Sequence, residues 1–184
     1  MVPNPGSSRN VQKMKNILFI IPPERFRDEE LFITKTYLEK AGYRTTVAST
    51  KGGEINGSRG GKTQATLILD EINTSNYDAV VFVGGGGSKL LFNNQLAQEI
   101  ARKMVFGGKI VAAICLAPVI LANAGILKGV RATVAGTEAK TLEEKRAIYT
   151  GPGVFSDRNI VTANGPKSSE LFAKTIEKLL QTSE

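Results

Sequence analysis

The chain has 184 residues, of which 41% are hydrophobic and 22% charged, so it is predicted to form one compact domain and not a disordered or collagen-like chain. One cysteine and no histidine exclude an internal disulfide, a classical zinc site and every mechanism that pairs cysteine or serine with histidine. The net charge is +7, but basic residues mostly alternate with acidic ones and Trp is absent, which favours a solvated surface over nucleic-acid binding.

The predicted elements begin after a flexible N-terminal tail over residues 1–14, which lacks apolar periodicity; a single domain then spans residues 15–184. Short apolar runs predict strands over residues 17–21, 45–48, 66–69, 79–83, 109–114 and 159–163. Helical spacing predicts four helices, marked by Leu31, Leu38 and Ala41, by Leu96, Ile100 and Met104, by residues 117–124, and by Leu171, Ile176 and Leu179 after a start near Ser168. The glycine-rich residues 51–62 are predicted to be a loop.

Strands that alternate with helices predict an α/β fold, with a mostly parallel sheet covered by helices on both faces. In such sheets the chemistry lies beyond the carboxyl ends of the strands. No apolar run approaches the ~18 residues of a membrane span. A lone cysteine fits a reducing compartment. We therefore expect a cytoplasmic protein that needs no membrane, metal or cofactor.

Two glycine-rich segments require comparison with phosphate-binding loops. Residues 57–63 (GSRGGKT) have three residues where a Walker A loop needs four, so we reject that interpretation. Residues 84–89 (GGGGSK) follow a predicted strand, but Lys89 occupies the third glycine position of the dinucleotide-binding pattern. This segment is either a tight turn between strand and helix or a set of backbone N–H groups that binds an anion or oxyanion.

The most informative segment is the predicted strand that runs directly into Cys115 and then into a helix. Residues 113–117 (AICLA) have the form small-x-nucleophile-x-small, which is typical of a nucleophile elbow. Such a turn gives the nucleophile a strained backbone and aims the sulfur across the helix N-terminus. A lone cysteine among apolar residues is otherwise a small buried hydrophobe. The strand-cysteine-helix context favours the nucleophile.

These residues resemble the ThiJ/PfpI superfamily. The elbow and its helix (AICLAPVILANAGILKG), the turn VVFVGGG, the late strand IVTANGP and the segment FRDEEL resemble superfamily motifs, in consistent order from about Lys15 to Leu180. The resemblance implies a flavodoxin-like sandwich that forms a homodimer or a larger homo-oligomer. The superfamily includes cysteine peptidases, glyoxalases or deglycases, chaperones and oxidation sensors.

The resemblance also implies the site residues. Cys115 matches the superfamily nucleophile, and the backbone N–H groups of Gly85, Gly86 and Leu116 match its oxyanion donors. The superfamily histidine is absent, since Leu116 follows the cysteine and residues 133–136 read TVAG.

The superfamily glutamate falls on Arg27 or, with an ungapped alignment, on Phe26. Among the neighbouring glutamates we predict Glu24 as the catalytic carboxylate, because Glu29 and Glu30 are expected inside a helix. The alternative for these acids is a solvated first helical turn. Arg27 is a candidate contact for the substrate or for the thiolate, whose pKa it is expected to lower.

Three functions follow as hypotheses. The first is a small-molecule enzyme that uses Cys115 on a reactive carbonyl or an amide; general peptidase activity is not expected, because no histidine protonates a departing amine. The second is a noncatalytic stress protein or oxidation sensor in which Cys115 becomes a sulfinic acid. The third is a basic binding protein, and we rank it last.

Overall fold

A seven-stranded sheet forms the centre of the computed structural model, which describes residues 14–183. The predicted tail therefore lies outside the described residues, except for Met14. The strands of the sheet run in the order β10-β11-β7-β6-β1-β2-β5. Their bounds are Asn16–Ile20 (β1), Arg44–Ser49 (β2), Leu67–Ile68 (β5), Ala79–Phe82 (β6), Ile110–Ile114 (β7), Val154–Asp157 (β10) and Ile160–Ala163 (β11). All pairings are parallel except β10 with β11, so the predicted mostly parallel sheet is confirmed.

Helices cover both faces of this sheet because its central strands are apolar on both sides. The helices are Asp28–Lys40 (α1), Gln95–Phe106 (α2), Pro118–Asn123 (α3), Ala139–Glu144 (α4) and Ser169–Thr182 (α5). In β1, Leu18 and Ile20 pack in the same apolar cluster as α2 and α3, whereas Ile17 and Phe19 pack in the cluster of α1 and α5. This alternation is the period of two that a strand imposes on its side chains. The predicted two-sided, flavodoxin-like α/β architecture is confirmed.

A β-hairpin replaces the loop that the sequence predicts over residues 51–62. Strands Gly53–Asn56 (β3) and Lys62–Ala65 (β4) pair antiparallel. Most of their side chains face solvent, and only Ile55 and Ala65 are buried, so the hairpin carries little of the hydrophobic alternation that predicts a strand. The hairpin matters for function because its turn contacts the segment before α1: Ser58 N–H donates to the Phe26 carbonyl.

Two predicted helix faces are rotated relative to the structure. Leu171 is 56% exposed and Leu96 is 39% exposed. The core-facing stripe of α5 instead includes Phe172, Ile176 and Leu180. Strands Arg131–Ala132 (β8), Ile148–Tyr149 (β9) and β10, together with α4, were not predicted. These elements are short and join the core through few residues. Among residues 14–183, no helix is long and apolar enough to cross a membrane.

Candidate active site

Cys115 occupies a strained turn between β7 and α3. Its φ is 65°, in the left-handed region that non-glycine residues rarely adopt, so the predicted strained backbone is confirmed. Its N–H donates to the Ala163 carbonyl of the neighbouring strand at 2.9 Å, and the Ala117 N–H closes the turn onto Ile114 at 3.1 Å. The side chain is half-buried. The turn therefore holds the sulfur at the carboxyl end of the sheet, where α/β proteins place their chemistry.

The glycine turn after β6 packs against this elbow at a distance that only glycine allows. A Cβ on Gly84 would lie 2.8 Å from the Cys115 Cβ and 2.6 Å from the Ile114 carbonyl oxygen. Gly85 has a φ of 109°, and a Cβ there would lie 2.5 Å from the Arg25 carbonyl oxygen. The close approach brings the Gly85 N–H to the Cys115 sulfur, where it favours the thiolate together with the Leu116 N–H.

Glu30 is the carboxyl group beside the thiol. It is fully buried in the first turn of α1, and its Oε1 accepts a hydrogen bond from the Gly84 N–H at 3.0 Å. Its Oε2 is buried without a hydrogen-bond partner of ordinary geometry in the described part of the chain. Burial raises the pKa of Glu30 to about 8, although the Gly84 N–H and the Cys115 thiol oppose that rise. At neutral pH Glu30 therefore keeps its proton and can donate a hydrogen bond to the sulfur.

The thiol itself is held protonated. Burial, followed by the charge of an ionised Glu30, raises the pKa of Cys115 to about 12, and the N–H groups of Gly85 and Leu116 lower it. The sequence analysis expected Arg27 to lower the pKa of Cys115, and that expectation is wrong. The hydrogen bond to Glu29, whose Oε2 lies 2.6 Å from Nε, is the main cause of the raised pKa of Arg27, and the charge of a Cys115 thiolate contributes least. Cys115 and Glu30 therefore form a coupled pair that carries two protons at neutral pH.

The structure does not bring Glu24 to the sulfur. The Glu24 side chain is 59% exposed and forms a 3.6 Å ion pair with Arg25. Glu30 takes the position that the sequence analysis assigned to Glu24. The sequence did contain a signal for this: Glu30 shares the helical stripe of Thr34 and Leu38, both fully buried, so periodicity places it on the face of α1 that packs on the sheet.

The other predicted site positions act through backbone N–H groups and not through side chains. Gly86 begins the turn that follows Gly85, and its role as an oxyanion donor stays a prediction. Residues 133–136, in which the sequence analysis noted that the superfamily histidine is absent, do lie against the elbow, since the Ala135 N–H donates to the Cys115 carbonyl at 2.7 Å. It contributes a backbone N–H and no acid or base. Glu30 is thus the carboxyl group that the described part of the chain places beside the sulfur.

The fold and this site define a flavodoxin-like α/β protein that carries a cysteine in a strained strand-to-helix turn, with a buried glutamate beside it. The model of the DJ-1/PfpI family matches residues 15–179. The deglycase PfpI of Pyrococcus furiosus is 41% identical over 165 residues, covering 90% of this chain and 99% of that protein. An uncharacterised protein of Methanocaldococcus jannaschii is 39% identical over 183 residues, covering 98% of this chain and 89% of its own.

Among solved structures, a ThiJ/PfpI domain protein from Brachyspira murdochii superposes with a TM-score of 0.91 at 38% identity, covering 94% of this chain and 99% of the other. The chain belongs to the DJ-1/PfpI family. The homo-oligomer and the cytoplasmic location expected from the sequence stay predictions.

Proposed function

We propose that this protein is a cysteine-dependent enzyme of small reactive carbonyl compounds, of the glyoxalase or deglycase type. The observation that carries the proposal is the pairing of Cys115 with a fully buried Glu30 whose pKa is raised to about 8. A general acid and base works best when its pKa lies near the working pH, and burial has moved this carboxyl group into that range. The deglycase name of the Pyrococcus furiosus relative supports the same class of reaction.

The first chemical step is addition of the thiol to an aldehyde. The sulfur forms a bond to the carbonyl carbon while the thiol proton passes through Glu30 to the carbonyl oxygen, so the product is a neutral hemithioacetal and no further reactant is needed. The N–H groups of Gly85 and Leu116, which lie at the sulfur, also lie beside the oxygen that gains charge during the attack.

An α-oxoaldehyde substrate then completes the reaction without an external oxidant. Ionised Glu30 removes the proton from the hemithioacetal carbon and returns it to the neighbouring carbon, while the hydroxyl proton of the adduct moves to the neighbouring carbonyl oxygen. The product of these two proton shifts is the thioester of a 2-hydroxy acid. Water hydrolyses the thioester, releasing the acid and restoring the thiol. One group that exchanges a proton at each step is sufficient, so this route requires no histidine. We do not expect peptide hydrolysis, because an amide carbonyl is much less electrophilic than an aldehyde and requires a thiolate, whereas Cys115 is held protonated.

Turnover of methylglyoxal to lactate tests the proposal. We expect measurable turnover in the wild type, loss of at least 100-fold in Cys115→Ser, and a loss of similar size in Glu30→Gln, which keeps the shape but cannot transfer the proton. The value of kcat/KM should rise with pH up to about 8, as the pair loses its first proton. Glu24→Gln should turn over methylglyoxal within about twofold of the wild type. The opposite ranking of the two glutamate variants would restore Glu24 as the catalytic group, and turnover that survives Cys115→Ser would overturn the proposal.

A second candidate function is oxidation sensing. Cys115 is half-buried, and protonated Glu30 beside it can donate a hydrogen bond to a sulfinate oxygen. Two molecules of hydrogen peroxide would convert the thiol into the sulfinic acid and yield two molecules of water. A mass increase of two oxygen atoms on Cys115 at micromolar peroxide, in a protein without carbonyl turnover, would favour this function over the first.

A further inference from the structure

Arg25 lies at the mouth of the Cys115 site and has a backbone conformation that residues other than glycine rarely adopt. Its φ is 51°, so an arginine is held in the left-handed region next to the glycine turn. Two hydrogen bonds fix this backbone, because Arg25 N–H donates to the Asn56 carbonyl at 3.0 Å and Gly87 N–H donates to the Arg25 carbonyl at 3.3 Å. Strain of this kind persists where the surrounding structure requires it and is concentrated at functional sites.

The held backbone places the Arg25 guanidinium over the glycine turn. Its Nη1 lies 3.6 Å from the position that a Cβ on Gly86 would take. Gly86 follows Gly85, whose N–H contacts the Cys115 sulfur. A substituent two or three carbons from a carbonyl bound at the sulfur therefore lies within reach of the guanidinium.

Arg25 is also the arginine at this mouth that is most available to a ligand. Arg27 is bound through Nε to Glu29 at 2.6 Å, whereas the pair between Arg25 and Glu24 is 3.6 Å long and its side chains are 62% and 59% exposed. Exposed pairs of this kind contribute little and exchange readily for another anion.

Apart from Glu24, the acidic groups near this mouth either bind other partners or carry no charge at neutral pH. Asp28 accepts hydrogen bonds from the N–H groups of Arg59 and Gly61 at 3.0 and 2.6 Å, so its carboxylate is turned toward the hairpin. Glu30 is buried below the glycine turn and keeps its proton at neutral pH.

We infer that the site selects carbonyl substrates that carry a carboxylate, and that Arg25 is the residue that binds this group. A planar guanidinium and a carboxylate form a bidentate pair, which orients the substrate as well as attracting it. The substrate class is then an α-oxoaldehyde with a carboxylate two or three carbons from the dicarbonyl, and the product is a dicarboxylic 2-hydroxy acid. This substrate class rests on the proposed function, but the charge preference of the site does not.

Alkylation of Cys115 by two reagents of nearly equal size measures the charge preference without any turnover. Iodoacetate and iodoacetamide each form a sulfur–carbon bond and release iodide, and they differ in charge. The iodoacetate-to-iodoacetamide rate ratio, divided by the ratio for free N-acetylcysteine, should exceed one in the wild type. Arg25→Gln should lower it about fivefold, the factor expected when a unit charge is removed about 4 Å from a carboxylate in water-like surroundings.

Three further variants establish that the effect is local. Arg25→Lys keeps the charge and should retain most of the ratio, and Glu24→Gln should raise it. Arg158→Gln is the matched control, since Arg158 also has a positive φ, 58°, but lies in the β10–β11 turn at the opposite end of the sheet. An equal ratio in wild type and Arg25→Gln would overturn the inference.

Turnover then separates the inference from the proposed function. We expect Arg25→Gln to lower kcat/KM for 4,5-dioxopentanoate at least fivefold and to leave its uncharged methyl ester within twofold. If neither compound is turned over while the alkylation ratio responds to Arg25, the charge preference holds and the enzymatic function fails. If both are turned over and neither measurement responds to Arg25, the function holds and the inference fails.

Discussion

Glu30→Gln is expected to stabilise the folded protein at pH 8 relative to the wild type, although it removes the proposed proton carrier. The unfolded chain loses the Glu30 proton near the usual pKa of 4.5, whereas the folded protein keeps it until about pH 8. The folded state binds more protons across this window, so the free energy of unfolding of the wild type falls as the pH rises from about 4.5 to 8. At 1.36 kcal/mol for each pKa unit, the loss amounts to about 5 kcal/mol. Glutamine does not titrate, so the Glu30→Gln variant does not lose this part of its free energy of unfolding.

The measurement is a series of urea unfolding curves for both proteins between pH 4.5 and 8.5. The other carboxylates titrate in both proteins, so the difference between the two free energies isolates Glu30. Glu24→Gln is the matched control, because the Glu24 side chain is mostly exposed, and its difference from the wild type should stay within about 0.5 kcal/mol across the range. A Glu30→Gln difference that is equally flat would show that Glu30 is ionised at neutral pH in the folded protein.

The elements that sequence analysis predicted are those whose side chains repeat regularly. Strands β1, β6 and β7 are apolar on both faces because helices cover both sides of the sheet, so their sequences read as continuous apolar runs. The β3–β4 hairpin has no such signal. Its register depends on hydrogen bonds between polar residues and on its contact with Phe26, neither of which leaves a hydrophobic period.

The candidate site was predictable in its backbone and less so in its side chains. The small residues around Cys115 and the glycines after β6 indicate close packing of main chain, and that packing depends on residue size at fixed positions. The identity of the acid depends on which face of α1 meets the sheet. Glutamate at the start of a helix usually faces solvent, where it complements the helix dipole, so Glu30 was passed over despite its position in the stripe of Thr34 and Leu38.

Gly85→Ala is expected to destabilise the protein by about 3 kcal/mol or more and to abolish the reactivity of the site. The alanine would have to adopt a φ near 109°, and its Cβ would lie 2.5 Å from both the Arg25 carbonyl oxygen and the Arg27 nitrogen and 2.8 Å from the Phe26 carbonyl carbon. These are backbone atoms, which cannot move aside as a flexible side chain does. Relief requires the glycine turn to separate from the loop before α1, which withdraws the Gly85 N–H from the sulfur and the Gly84 N–H from Glu30.

Gly108→Ala is the control that measures the cost of a positive φ without steric overlap of the added Cβ. Gly108 also has a positive φ, 72°, but a Cβ there would meet no heavy atom within 4 Å, so only the left-handed conformation is penalised, at about 1 kcal/mol. Chemical denaturation of the two variants, followed by the rate of Cys115 alkylation in the folded protein at low denaturant, makes the comparison. Equal destabilisation by the two substitutions would mean that the turn is not packed against the segment before α1, and the oxyanion role of Gly85 would lose its support. A larger loss of stability in Gly85→Ala, with slower Cys115 alkylation in that variant alone, would tie the close approach of the two loops to the chemistry of the sulfur.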